Sequence, residues 1–288
     1  MKKRIENGIG GLGLKEVLLR RKVDVRFPID GSSISPDLFA GGSLGEIEDL
    51  PLLVGNREKR LGDIFEVSGE TAEDPSNQAI RVVGGVRNFR EIGKGMSGGV
   101  IKIEGDGGFN LGEGMEGGTI IVDGDAGSWV GSSMRGGLIE VLGDVENQVG
   151  ASYRGKGQGM TGGRILIHGS AGYEVGSWMQ GGFIHIKGNV GQFAGVHMGG
   201  GEILVEGDSE GRLGASMTGG KIVLLGRVPG ILPGFSFEEI RKSARIGGER
   251  IKERFYFFRG DITEEGSGRL YVSVERNPHL KFYERLLE

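Results

Sequence analysis

Two neighbouring stretches decide the architecture: Gly112-Glu-Gly-Met115-Glu-Gly-Gly-Thr-Ile120-Ile-Val122-Asp-Gly124 and Gly131-Ser-Ser-Met134-Arg-Gly-Gly-Leu-Ile139-Glu-Val141-Leu-Gly143. They superpose at a shift of 19 residues, and the same register runs outward in both directions. Apart from Met1, every methionine falls on it, from Met96 to Met217, at gaps of 19, 19, 26, 19, 19 and 19. The long gap is one period plus seven residues, Tyr153 to Gly159, with Tyr153 where a methionine is due. The common unit is G-x-x-M-x-G-G-x-I-x-[VIL]-x-G, and on this alignment Gly157 is the glycine that precedes Met160. A partial unit at Ile80, Val82, Gly84, Ile92 and Gly93 comes before the first methionine.

Aliphatic residues two apart place both side chains on one face of a short strand. The rest of each period must turn the chain and return it, and glycine supplies the positive-φ turns that other residues resist. A period of 19 is too short for a strand plus a buried helix. Glycine at this density would also cost a helical solenoid about 1 kcal/mol per site. The expected fold class is therefore mainly β. It is a single right-handed parallel β-helix (solenoid) of roughly 7–8 rungs, isoleucine stacked on isoleucine and methionine on methionine.

The repeat explains the composition. Of 60 glycines among 288 residues, 44 lie between Gly84 and Gly234. Collagen is excluded by only seven prolines, and disorder by 37% hydrophobic residues at a net charge of −4. The absence of cysteine excludes disulfides, thiolate metal sites, iron–sulfur ligation and a thiol nucleophile. No segment carries the basic excess of a nucleic-acid binder or an apolar run long enough to span a membrane. A cytoplasmic location is expected.

Three segments follow: residues 1–79 as an N-terminal capping or docking segment, 80–234 as the repeat domain, and 235–288 as a C-terminal helix–strand–helix segment. In the first, Lys22–Phe27 and Ile64–Ser68 read as strands, and Ser43 with Glu46 forms a capping box opening a short helix towards Leu50. In the last, Ser236 and Glu239 read as a second capping box with a helix to Ile246. The strand Arg269–Val274 and an amphipathic helix come after it. Solenoids need their open ends covered, and both flanks are suited to that.

No active centre emerges. Gly8-Ile-Gly-Gly-Leu-Gly13 matches G-x-G-x-x-G, but a dinucleotide site needs a preceding strand and only seven residues precede Gly8. Asp106, Asp125, Asp144 and Asp208 recur after the glycine that closes each unit. Ser170, Asn189 and Arg227 interrupt the row, so turn chemistry is the better reading. The four histidines show no metal-binding spacing. No catalytic, cofactor-binding or metal-ligating residue is therefore assigned. What stands out are large apolar residues on the outward side of the strands, among them Leu166, Phe183 and Leu204, and the insertion, with Tyr153, Arg154, Lys156 and Gln158. Outward apolar residues are either covered by the chain's own ends or form a surface for another subunit, and the insertion carries types favoured at interfaces. These seven are the candidate subunit-interface residues.

The repeat resembles the G-x-G-x-G domain shared by the C-terminal part of glutamate synthase large subunits and by the C subunit of formylmethanofuran dehydrogenase. The flanks resemble the second. They are Phe27-Pro-Ile-Asp-Gly-Ser-Ser-Ile-Ser-Pro-Asp-Leu-Phe39, Val54-Gly-Asn-Arg57, Leu61-Gly-Asp-Ile-Phe-Glu-Val67, Val228-Pro-Gly-Ile-Leu-Pro-Gly-Phe235 and Gly260-Asp261 leading to Gly268-Arg-Leu-Tyr271. The resemblance implies a structural subunit of a complex that reduces CO2 with methanofuran to formylmethanofuran. It also implies a molybdenum or tungsten pterin and iron–sulfur clusters on partner subunits, and docking between the pterin-bearing and amidohydrolase-like subunits. The C subunit of a formyltransferase/hydrolase complex is the alternative. A β-helical polysaccharide enzyme, which would need an exposed groove of clustered carboxylates, is a more distant one.

Overall fold

The computed structural model describes residues 13–153, 155 and 157–287. Most of the G-x-G-x-x-G match, Gly8 to Leu12, lies outside the described residues, as do Arg154 and Lys156. The chain is mainly β, with strand at 35% and helix at 10%.

The chain enters through β1 (Lys15–Arg21) and β2 (Ile29–Asp30), then β3 (Pro51–Val54), β4 (Arg57–Arg60) and β5 (Phe65–Gly69). Strand β1 was not foreseen. The strand expected at Lys22–Phe27 is instead a connection, in which the Asn88 amide donates to the carbonyls of Val25 and Phe27. Of its alternating apolar residues only Val25 packs against the core; Val23 and Phe27 are 43% and 66% exposed, whereas Val17 and Leu19 on β1 are fully buried. The capping box at Ser43 is present. The Ser43 hydroxyl accepts from Glu46 N–H at 3.3 Å and the Glu46 carboxylate accepts from Ser43 N–H at 2.8 Å, over the helix Leu44–Glu48.

Next come β6 (Gln78–Val83), β7 (Phe89–Arg90), β8 (Val100–Glu104), β9 (Thr119–Val122), β10 (Leu138–Val141), β11 (Arg164–Ile167), β12 (Gln180–Ile186), β13 (Gly200–Val205) and β14 (Lys221–Leu224). Apart from β7, each pairs in parallel with the next, isoleucine opposite isoleucine: Ile101 with Ile120, Ile139 with Ile165, Ile203 with Ile222. A second line of single bridges runs beside the strands, joining Ala126, Val145, Ala171, Val190 and Ser209 in turn. The inward aliphatics and the seven methionines from Met96 to Met217 form one continuous buried core.

Glycine and methionine are coupled across repeats. Gly182 has φ +85°, and a Cβ there would lie 2.7 Å from the methyl of Met160 one repeat earlier. The methionine thus occupies the space a side chain would need.

The seven-residue insertion leaves this geometry intact, with one correction to the alignment. Gly150, not Gly157, is the glycine that precedes Met160. Its carbonyl accepts from Met160 N–H at 2.8 Å, as the Gly131 carbonyl does from Met134 at 3.1 Å. A Cβ on Gly150 would meet Ile184 at 2.6 Å, while one on Gly157 would meet nothing closer than Trp178 at 4.0 Å.

The C-terminal segment departs from helix–strand–helix. It comprises β15 (Ser236–Arg241), the hairpin β16 (Ala244–Ile246) and β17 (Glu249–Ile251), then β18 (Phe255–Gly260), β19 (Gly268–Ser273) and 3₁₀ turns over Pro278–Leu287. The expected helix from Ser236 is a strand antiparallel to β18. A register shift between Phe237 and Glu239 adds a residue, so Phe237 and Ile240 both pack on the core at a spacing that imitates a helix. Strand β19 continues the parallel series, setting Leu270 against Ile222 and Val272 against Leu224. The main sheet of thirteen strands runs β15-β18-β19-β14 and then backwards to β8, β6, β1 and β5. Both of its ends are therefore closed by antiparallel strands. A smaller sheet orders β4-β3-β2-β7.

Candidate docking surfaces

The aspartate row is a structural ladder. Asp106 Oδ1 accepts from Asp125 N–H at 3.1 Å, Asp125 Oδ1 from Asp144 N–H at 2.8 Å, and Asp144 Oδ1 from Ser170 N–H at 2.6 Å. Ser170 and Asn189, which interrupt the row in sequence, continue it in space: Ser170 Oγ accepts from Asn189 N–H at 3.0 Å and Asn189 Oδ1 from Asp208 N–H at 2.8 Å. Each short side chain satisfies a backbone donor of the next repeat. A groove of about 200 Å³ beside the ladder is lined by Arg87, Phe109, Asp125, Asp144 and Glu146. Through these bonds Asp125 and Asp144 each hold the turn of the next repeat.

The histidines are dispersed. His168 Nε2 lies 2.7 Å from Glu140 Oε1 and its Nδ1 lies 2.8 Å from Lys187 Nζ. A lysine ammonium has only hydrogens to offer, so Nδ1 accepts and Nε2 donates to the buried Glu140. His185 meets Glu206 at 2.7 Å, His279 meets the Val228 carbonyl at 2.9 Å, and His197 stacks on Trp178 at 4.3 Å. Among the described residues no three His, Cys, Asp or Glu side chains converge as metal ligands.

The insertion is tied down at both ends. The Tyr153 ring stacks on Trp129 at 4.7 Å, its hydroxyl accepts from the Asn110 amide, and it donates to Glu113 Oε2 at 3.2 Å. Burial first, and then the Glu113 carboxylate, push the Tyr153 phenol well above its usual value, so it stays protonated and keeps donating. Gln158 is exposed; its N–H donates to Ser152 Oγ at 3.1 Å and its carbonyl accepts from Ser133 Oγ at 3.2 Å. Sequence reasoning missed that both tryptophans, Trp129 and Trp178, contact this segment. The signal was there, since each sits in the period flanking the insertion.

The outward residues divide. Leu204, expected at an interface, is 7% exposed and packs with Val223, Ala244, Ile246, Phe255, Phe257 and Tyr271. The chain's own C-terminal strands cover it, which removes it as a contact for another subunit. Phe183 is half-buried at the edge of that cluster, and the Arg164 guanidinium lies 4.9 Å from its ring. Leu166 lies beyond the cluster, half-buried on β11.

No protein-family model matches the chain. It is 56% identical over 269 residues to the C subunit of the tungsten-containing formylmethanofuran dehydrogenase 2 of Methanothermobacter thermautotrophicus, covering 93% of this chain and 100% of that one. The protein of the same description from Methanothermobacter wolfeii is 42% identical over 93 residues, a stretch spanning 34% of that relative and 32% of this chain. The C subunit of the molybdenum-containing formylmethanofuran dehydrogenase 1 of Methanosarcina barkeri is 39% identical over 98 residues, 33% of its length and 34% of this chain. Among solved structures, a chain of the formyltransferase/hydrolase complex from Methylorubrum extorquens, crystallised with methylofuran, superposes with a TM-score of 0.78. That pair shares 27% identity, with 89% of this chain and 99% of that one covered.

Proposed function

Because this chain belongs to the family of formylmethanofuran dehydrogenase C subunits, we propose that it is a non-catalytic, cytoplasmic structural subunit of such a complex. The complex reduces CO2 with methanofuran to formylmethanofuran, and this chain scaffolds its pterin-bearing and amidohydrolase-like subunits. The observation that carries the reading is the match along the whole length of a C subunit, joined to a ladder of carboxylates and a set of histidines all engaged in holding the fold. The molybdenum or tungsten pterin and the iron–sulfur clusters belong, on this reading, to the partners.

The architecture we infer is one right-handed parallel β-helix. It is supported by strands in register one period apart, by the second line of bridges, and by turns that bond to the same turn of the next repeat. Residues 80–234 form the repeat unit, 1–79 and 235–288 its two covers. Tyr153, Arg154, Lys156 and Gln158 remain candidate contacts at the insertion.

A second reading, the C subunit of a formyltransferase/hydrolase complex, is favoured by the likeness to the Methylorubrum extorquens chain. Affinity purification of the tagged chain from its native host separates the two. Recovery of pterin- and iron–sulfur-bearing subunits supports the dehydrogenase, and a formyltransferase without redox subunits supports the alternative. If the isolated chain itself bound tungsten, molybdenum or iron stoichiometrically, or turned over formylmethanofuran, the structural role would be wrong.

A further inference from the structure

The outward face of the main sheet is half covered. Over β12–β14 lies the β16–β17 hairpin. Its Ala244 and Ile246 pack with Leu204 and Val223, Gly247 N–H donates to Glu202 Oε2 at 2.7 Å, and Lys221 Nζ donates to the Arg245 carbonyl at 2.7 Å. The hairpin ends at Phe183, since a Cβ on Gly247 would lie 2.6 Å from that ring. Over β8–β11 no described element other than the adjoining strands packs at comparable extent. There Val100, Ile121, Leu138 and Leu166 are only half-buried and Leu142 is 43% exposed.

The charges on this open half are matched internally, with one exception. Lys102 pairs with Asp123 at 3.3 Å, and Glu140 with His168, which also meets Lys187. Arg164 is exposed, stands between Leu138 on β10 and Phe183 on β12, and has no carboxylate partner among the described residues.

We propose that this open half-face seats a neighbouring subunit of the same complex, through an apolar segment carrying a carboxylate that pairs with Arg164. The proposal rests on the subunit reading above and names the surface and the chemistry of the contact. Three features point to that occupant. The hairpin already shows that this face is built to be covered, and a partner segment abutting Phe183 would extend the same layer. Contiguous apolar surface next to a covered core is the pattern of an interface. An arginine already stacked on an aromatic ring is pre-organised to accept a carboxylate as water leaves. A second copy of this chain is the poorer occupant, because a two-fold contact centred here would set Arg164 against its own copy.

The chain has no cysteine, so a single introduced thiol reports the surface directly. In the complex purified with all its subunits, the Leu142→Cys thiol should react with a maleimide at least tenfold more slowly than in the free chain. Arg164→Glu should lower co-purification of the neighbouring subunit at least tenfold, while Arg164→Lys retains most of it. Equal labelling at Leu142→Cys in complex and free chain, or full assembly of Arg164→Glu, overturns the proposal. Slowing of the label in the free chain as its concentration rises also overturns it, in favour of self-association. A wild-type chain that recovers no other subunit defeats the subunit reading itself, and this proposal with it.

Discussion

Gly182 carries two burdens at once, a left-handed backbone at φ +85° and the methyl of Met160 where its Cβ would be. Gly157 has φ +61° but open space around it. Gly182→Ala should therefore cost about 2–4 kcal/mol, about 1–2 for the left-handed backbone and the rest for the overpacked methionine. Gly157→Ala should cost only the first part, and thermal denaturation of the two variants measures the difference. Asp261 is a second informative residue. Burial alone would raise its carboxyl, but Thr263 donates through its hydroxyl at 2.7 Å and its N–H at 3.1 Å, and Ser216 N–H donates at 3.1 Å. Together these hold the group below its ordinary value of 3.8. Stability from this depression is present above that value and lost as pH falls through the lower, folded one. Asp261→Asn should thus destabilise the chain by about 1–2 kcal/mol near neutral pH. The gap to wild type should narrow in melts below pH ~4.

At the scale of elements, the ladder makes a prediction about chemistry rather than charge. Asp144→Ala leaves Ser170 N–H without its acceptor and should cost about 1 kcal/mol. Asp144→Asn should be close to neutral, because Asn189 already does the same work two repeats on. Chemical denaturation of both variants distinguishes a ladder from a functional carboxylate. The repeat strands were legible because isoleucine, methionine and glycine recur at fixed offsets, each dictated by contact with the next copy of itself. Elements without a copy were harder to read. Strand β1 has only Val17, Leu18 and Leu19 between charged ends, and its pairing with β6, Val17 beside Ile80, reveals it. Strand β15 was read as a helix from the capping-box spacing of Ser236 and Glu239, a pattern that a bulged strand also accommodates. Gly157 was mistaken for a repeat position because the insertion happens to place a glycine three before Met160.

For the whole molecule, the two ends matter as much as the repeats. Strands β5 and β15 close the sheet in antiparallel sense, and Gly268 on β19 receives the methyl of Met217 as the next repeat would. Truncation after residue 234 would bare the edge of β14 together with Leu204 and Val223. We expect that chain to aggregate or form end-to-end oligomers in size-exclusion chromatography, whereas the full chain stays discrete. The candidate site was only partly legible at this scale. That outward apolar residues needed a cover was plain from the strand alternation. Which half the chain covers for itself depends on a hairpin that pairs only with itself, and no periodicity announces it.

The insertion carries a consequence of another kind. Glu140 still faces Leu166, and Val145 still bridges Ala171, although 26 residues separate each pair rather than 19. The added residues leave the pairing on either side of them in register, and every later repeat keeps its address. The sequence therefore holds two separable messages: one, written in glycine, methionine and isoleucine, sets distance along the stack, and another, written in the turns, sets identity at each level. Such a chain can acquire a new contact at one level without moving any contact already made at another.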